Sequence, residues 1–183
     1  FLKDHTLQDI KKLLQNNHVE PLSINTLEFI GFPDDPAALV ENCKTLSQIA
    51  DAIGCTLLVT IPSPTPRVYQ EKPELNFPWE ETVRAHVNAL QQLGDIADKY
   101  GVRLAFEFLG FGWCSVRTPR AAYDIVRKAN RINVGMNFDT CHFYAGGGLL
   151  KELDALDPNK IFTFHLNDLE DLPKEAVTDA VRV

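Results

Sequence analysis

Three apolar stretches of this 183-residue chain each end on a side chain able to hold a divalent cation or to move a proton. VRLAFEFLG carries Glu107. NVGMNFDTCHFYAGGG carries Asp139 with His142 shortly after it, and IFTFHLND carries His165 followed by Asp168. Two carboxylates and one imidazole make an oxygen-rich donor set that suits Mn²⁺, Mg²⁺, Co²⁺ or Zn²⁺, and the sequence does not choose among them. A carboxylate beside such an ion can also shuttle a proton on a carbon next to a carbonyl. Plainer readings stand next to these. Glu107 between two phenylalanines could be half of a structural salt bridge, Asp139 the cap of the turn that follows it, and His165 a satisfied core histidine.

The surrounding residues say what must hold these groups. Side chains alternate faces along a strand, so Glu107 shares a face with Ala105, Asp139 with Gly135 and Asn137, and His165 with Thr163. That face is small or polar. The opposite face collects Leu104, Phe106 and Phe108, then Val134, Met136 and Phe138, then Phe162, Phe164 and Leu166. Such a sheet is expected to bury its bulky face under helices and to match its polar face with an ion, because unmatched polar groups are costly to bury.

Those helices are legible. Leu7, Ile10, Leu13 and Leu14 recur at helical spacing within 7–17, and 19–27 reads as a strand with Pro21 near its start. Asp34, Asp35 and Pro36 open a helix over 37–53 that Gly54 can end, and 56–61 is a short apolar strand. Pro62, Pro64 and Pro66 begin a loop to Phe77, Pro78 leads into a helix over 79–100 closed by Gly101, and Thr118–Pro119 introduces another. A short helix is expected over 149–156. Strands alternating with helices imply a parallel sheet, either open and doubly wound or closed as a (β/α)₈ barrel. Ligand-type residues at the carboxyl ends of three consecutive strands favour the barrel. The expectation is an α/β chain forming a single partial TIM barrel over 1–183. About five βα units are present, with the first and last strands of the eight missing.

Composition narrows the function classes. A formal charge of −7 disfavours polyanion partners, so neither nucleic acid nor a membrane surface is expected. Cys43, Cys55, Cys114 and Cys141 are dispersed without a CxxC, no run approaches a membrane span, and no signal-like opening is seen, which together read as cytoplasmic. Gly146–Gly148 lacks the Lys-Ser/Thr of a phosphate cradle and reads as a mouth loop. Cys141 has no adjacent base to make it a nucleophile. His86, His5 and His18 read as surface or packing residues. Phe111 and Trp113 either wall a pocket or anchor their loop.

Taken in order, FEFLG, FDTCHFYAGG, FHLNDLEDLP and DAVRV resemble the xylose-isomerase-like metal-dependent barrels. Among these they resemble the inosose isomerases of myo-inositol catabolism, to which FLKDHTLQDI and NRINVG are also similar. The resemblance implies one divalent metal held by Glu107, Asp139 and His165, with a fourth ligand, a second glutamate, on a later strand that these residues do not include. It implies Glu107 as the proton-moving group and Arg182, at the match to the family's closing loop, on substrate hydroxyls, where a solvated salt bridge is the plainer reading. His142 reads either as a donor to a substrate oxygen or as lining of the mouth, and Asp168 either as a partner that orients His165 or as an ordinary turn acid. The activity implied is isomerisation or epimerisation of a sugar or polyol ketone, with 2-keto-myo-inositol the leading substrate and an enediolate between substrate and product. Three alternatives stand beside it: a 3-dehydroshikimate dehydratase-like lyase on the same frame, a polyol-binding barrel without catalysis, and an apurinic-site endonuclease. SINTLE and VTIPSP lack the extra histidines that the last requires. A small-molecule polyol is the expected partner, and association with further copies of the chain is left open.

Overall fold

The computed structural model describes residues 5–168 and 176–181. In chain order its elements are α1 (Leu7–Asn16), β1 (Ile24–Leu27), α2 (Pro36–Ile53), β2 (Leu57–Thr60), α3 (Arg67–Glu71), α4 (Trp79–Ala97), β3 (Arg103–Glu107), α5 (Pro119–Ala129), β4 (Val134–Asp139), α6 (Thr140–Ala145) and β5 (Ile161–His165). Helix starts follow from their caps. Thr6 and Asp9 close a reciprocal capping box on α1. Asp35 accepts the amides of Ala37 and Ala38 ahead of Pro36, and Thr118 accepts that of Ala121 ahead of Pro119. Gly54 ends α2 at φ 84°, a left-handed turn that costs a glycine no Cβ clash.

Several segments differ from the sequence expectation. Only Ile24–Leu27 of 19–27 becomes a strand, since its partner β2 spans just Leu57–Thr60 and Val19 and Leu22 stand exposed beyond that pairing. The proline-rich loop holds α3 and a 3₁₀ turn at Pro73–Leu75, α4 tightens to 3₁₀ at Asp98–Tyr100, and 150–155 is 3₁₀ rather than α. The helix α6 was not expected. It begins where Asp139 caps it, on a stretch that reads as a strand running out into glycines.

The five strands are all parallel and lie in the order β1-β2-β3-β4-β5. A doubly wound sheet reverses direction at a switch point; this one adds every strand on the same side, as a barrel wall does. Helices α2, α4 and α5 cover its outer face. There Leu58, Leu104, Phe106, Val134 and Met136 pack with Cys43 and Ala50 of α2, Leu90 and Leu93 of α4, and Ile125 and Val126 of α5.

On β5 the expected parity holds only in part. Met136 pairs with Ile161 but Asn137 pairs with Thr163, so Phe162 is an extra residue at a bulge. Its ring therefore lies on the inner face, against Gly135, where an added Cβ would come within 2.7 Å of it, and beneath the Arg103 guanidinium at 4.7 Å. Ile161 takes the outer position and packs on the core. Phe164 and Leu166 face outward as expected but stay 56% and 81% exposed, because no helix covers β5 on that side among the described residues.

His86 of α4 is a packing residue at 0% exposure, whereas His5 and His18 lie at the surface. Its Nδ1–H donates to the Thr82 carbonyl at 2.8 Å and its Nε2 accepts the Ser63 amide at 3.3 Å, so the neutral ring is fully satisfied. Burial pushes its pKa down to about 4. The unfolded chain, with histidine near 6.5, then binds the proton more tightly than the folded one, so this contribution to stability is present above pH 6.5 and lost as pH falls toward 4. Urea unfolding across that window should show a loss of about 3 kcal/mol in wild type that is absent from His86→Asn.

Candidate metal centre

Strands β3, β4 and β5 deliver Glu107, Asp139 and His165 to one rim of the sheet. Register sets this directly: Glu107 lies beside Asn137, and Asp139 beside His165. The bulge at Phe162 makes the second pairing. Continuing the Met136–Ile161 register without it would set Phe164, not His165, opposite Asp139.

The three donor groups meet. One ligand atom from each of Glu107, Asp139 and His165 lies within 4.8 Å of the others. His165 Nδ1 is 3.3 Å from Glu107 Oε1 and 3.9 Å from Asp139 Oδ2. Both carboxylates are buried, at 5% and 3% exposure, while the imidazole keeps one side to solvent. Loss of water around Glu107 raises its pKa, and the negative charge of Asp139 adds to the rise. The charge of His165 and a hydrogen bond from Asn137 oppose it. Two acids and an imidazole buried this closely match the donor chemistry of a hard or borderline divalent cation, and acids are rarely buried without such a partner.

Neighbouring groups hold the acids in place. Asp139 Oδ1 accepts the His142 amide at 2.8 Å, capping α6, and Oδ2 accepts the side-chain amide of Asn167. The capping reading of Asp139 and its place in the cluster are thus both realised. Asn167 is locked in turn by Thr140, whose Oγ1 donates to the Asn167 carbonyl at 2.9 Å and accepts its amide at 3.0 Å. Asn137 Nδ2 sits 2.8 Å from His165 Nδ1. The sequence reading placed Asn137 on this face without a role and did not pick out Asn167 or Thr140. The available signals were a polar residue inside an apolar strand and an Asn-Asp pair just beyond a strand end.

His142, on α6, lies at the mouth with its ring edge-on to Phe111 at 5.3 Å; Phe111 stacks on Trp113 at 5.2 Å. Both aromatics are half-buried. Their loop is tied across to the 176–181 segment, where Asp179 accepts the Gly112 amide through both oxygens at 2.8 and 3.0 Å. Asp168 is exposed, just past His165. Arg182 lies outside the described residues.

A sheet of sequential parallel strands with its ligand-type side chains on the rim defines a barrel protein with a candidate metal centre. The family model for xylose isomerase-like TIM barrels matches residues 2–179, and the chain belongs to that family. It is 35% identical to an inosose isomerase of Bacillus velezensis, over 100% of this chain and 63% of that protein. It is 36% identical to an inosose isomerase of Halalkalibacterium halodurans, over 100% of this chain and 63% of that one. The crystal structure of IOLI protein with a binding zinc atom superposes with a TM-score of 0.87 at 35% identity, covering 98% of this chain and 63% of that chain. The chain therefore spans just under two thirds of the length of these relatives. No helix among the described residues is long and apolar enough to cross a membrane.

Two substitutions at Asp139 separate its capping from its place in the cluster. Asparagine caps as well as aspartate does, so Asp139→Asn should melt near wild type, whereas Asp139→Ala should lose about 1 kcal/mol. Added Zn²⁺ or Mn²⁺ should raise the unfolding midpoint of wild type and do so far less in either variant, as read by thermal denaturation with and without chelator.

Proposed function

We propose that this chain forms the metal-binding part of an isomerase or epimerase acting on a polyol ketone, with 2-keto-myo-inositol the first substrate to test. The observation that carries the reading is the convergence of Glu107, Asp139 and His165 within 4.8 Å at one strand rim. Resemblance to proteins called inosose isomerase, and to a zinc-bound structure, supports the substrate class and the cation. Because the chain covers 63% of those relatives, the activity is proposed for the whole protein.

Glu107, Asp139 and His165 would hold one divalent cation, with the carboxylates as oxygen donors and Nδ1 of His165 as the nitrogen donor. Such an ion, when bound, polarises a ketone oxygen and lowers the cost of negative charge developing on it. Everything else falls to the side chains. Isomerising a hydroxyketone begins with removal of the proton on the carbon beside the carbonyl. Glu107 is suited to receive it, because burial and the neighbouring Asp139 make its carboxylate a stronger base than a solvated one. Returned by Glu107 to the adjacent carbon, with the hydroxyl proton passing between the two oxygens, that proton gives the isomeric ketone; an epimer requires reprotonation of the original carbon from the opposite face by a second acid. His142 can donate to a substrate oxygen from the mouth, with Phe111 and Trp113 excluding water on that side. Arg182 would fork onto substrate hydroxyls and Asp168 would help orient His165.

The test is exchange of the substrate α-proton with deuterated solvent, with product identified by NMR. Exchange with an isomeric ketone as product is expected. Loss of water from the substrate would instead indicate the dehydratase, and binding without exchange a non-catalytic barrel. Glu107→Gln should slow exchange by roughly 10²- to 10⁴-fold, the range general-base removal commonly costs, while substrate still binds.

A further inference from the structure

We infer that Gly110 and Gly146 are positioning residues for His142: bare backbone at both lets the turn that ends α6 seat directly on the loop after β3, and that seat holds the His142 ring against Phe111. This rests on the reading of His142 as a donor to a substrate oxygen, and it gives a role to two residues which that reading leaves unused.

The glycine run 146–148 reads from the sequence as a mouth loop, yet it is packed. An added Cβ on Gly146 would lie 2.3 Å from the Arg117 carbonyl oxygen and 2.8 Å from that of His142. One on Gly110 would lie 2.6 Å from the His142 carbonyl oxygen and 2.7 Å from the Gly146 amide nitrogen. Every one of these obstacles is a backbone atom, so no side chain can swing aside to make room. Backbone conformation does not explain the two glycines. Gly146 has φ −74° and ψ −5°, ordinary right-handed values, and the left-handed glycines among the described residues are Gly54, Gly101 and Gly147. What Gly110 and Gly146 permit is the close approach of two backbones, the other use of a missing Cβ.

Both sides of the seat are tied down. At the end of α6 the Gly146 amide donates to the His142 carbonyl at 2.8 Å and the Gly148 amide to that of Phe143 at 2.9 Å. In the facing loop the Leu109 amide donates to the Val116 carbonyl at 3.0 Å, and the Arg117 guanidinium to the Gly110 carbonyl at 3.4 Å. The touching residues are the ones that set the mouth. Gly110 immediately precedes Phe111, whose ring meets that of His142 edge-on at 5.3 Å. His142 is therefore gripped at both ends of its own backbone, its amide by Asp139 Oδ1 at 2.8 Å and its carbonyl by Gly146 and the bare face of Gly110. A methyl group at Gly110 must push the two segments apart and carry His142 with one of them. A misplacement of about 1 Å near a reacting group can cost about 10²-fold in rate.

The test uses the whole protein and measures three things side by side: turnover of 2-keto-myo-inositol, urea unfolding, and the His142–Phe111 ring contact as a nuclear Overhauser effect. Gly110→Ala and Gly146→Ala should each lose the ring contact and slow turnover by about 10- to 100-fold. Because the clash falls on the His142 carbonyl, it persists when the imidazole is removed. Gly110→Ala should therefore cost the same stability with or without His142→Ala, but should slow turnover only where the imidazole is present. A merely structural glycine would slow both backgrounds equally. The proposal is overturned if the ring contact survives in a folded glycine variant, or if Gly110→Ala slows turnover as much with His142→Ala as without it. It is also overturned if Gly110→Ala turns over within twofold of wild type while His142→Ala is impaired. Should neither glycine variant fold, backbone relaxation of the wild-type protein decides: amide order parameters of about 0.85 are expected over 140–148, and values below about 0.6 overturn the proposal. If His142→Ala turns over as wild type does, or wild type does not turn over, the reading of His142 as a donor falls, and the ring contact decides by itself whether the glycines place the ring.

Discussion

Two carboxylates and an imidazole must be kept within a few ångströms of one another, largely out of water, and this requirement organises the molecule. Like charges at such range repel strongly in a low-dielectric setting, and each loses hydration as it is buried. The surroundings answer with directed hydrogen bonds. The first amide of α6 and the Asn167 side chain take the two oxygens of Asp139, and the Asn137 amide lies between Glu107 and His165. Loss of water around Glu107 and the nearby charge of Asp139 hold its carboxyl above the ordinary range.

Such a site can be kept only on a rigid wall. The outer face supplies it: Leu104, Phe106, Val134 and Met136 are fully buried against three helices, so β3 and β4 are fixed along their length. The last strand is held differently. At β5 a single bulged residue turns Phe162 inward over Gly135 and resets the register, so that His165 rather than Phe164 comes level with Asp139. A one-residue slip in a strand exchanges its two faces, so the third donor depends on that irregularity.

Membership of the xylose isomerase-like barrel family accounts for the frame, and the arrangement of side chains on that frame is what argues for chemistry. The aromatic pair Phe111–Trp113 and the Asp179 tie across Gly112 lie on connecting segments, and the His142 ring on the short helix α6, all outside the sheet itself. This division lets the wall stay constant while the loops define what enters.

Much of this was legible in the residues themselves. Alternation along VRLAFEF and VGMNFD placed Glu107 and Asp139 on one face with Ala105, Gly135 and Asn137, because the two-residue period of a strand is a local property. Caps at Asp35 and Thr118 and the stop at Gly54 were equally local, and they formed as read. What pairs with what was not local. The bulge that swaps Ile161 and Phe162, and the meeting of Asn137 with His165 and of Asn167 with Asp139, join residues about 28 apart in the chain through inter-strand register. Side-chain types along one segment determined which groups were available. Only the packing of neighbouring strands, which fixes register and depth of burial together, decided which of them touch.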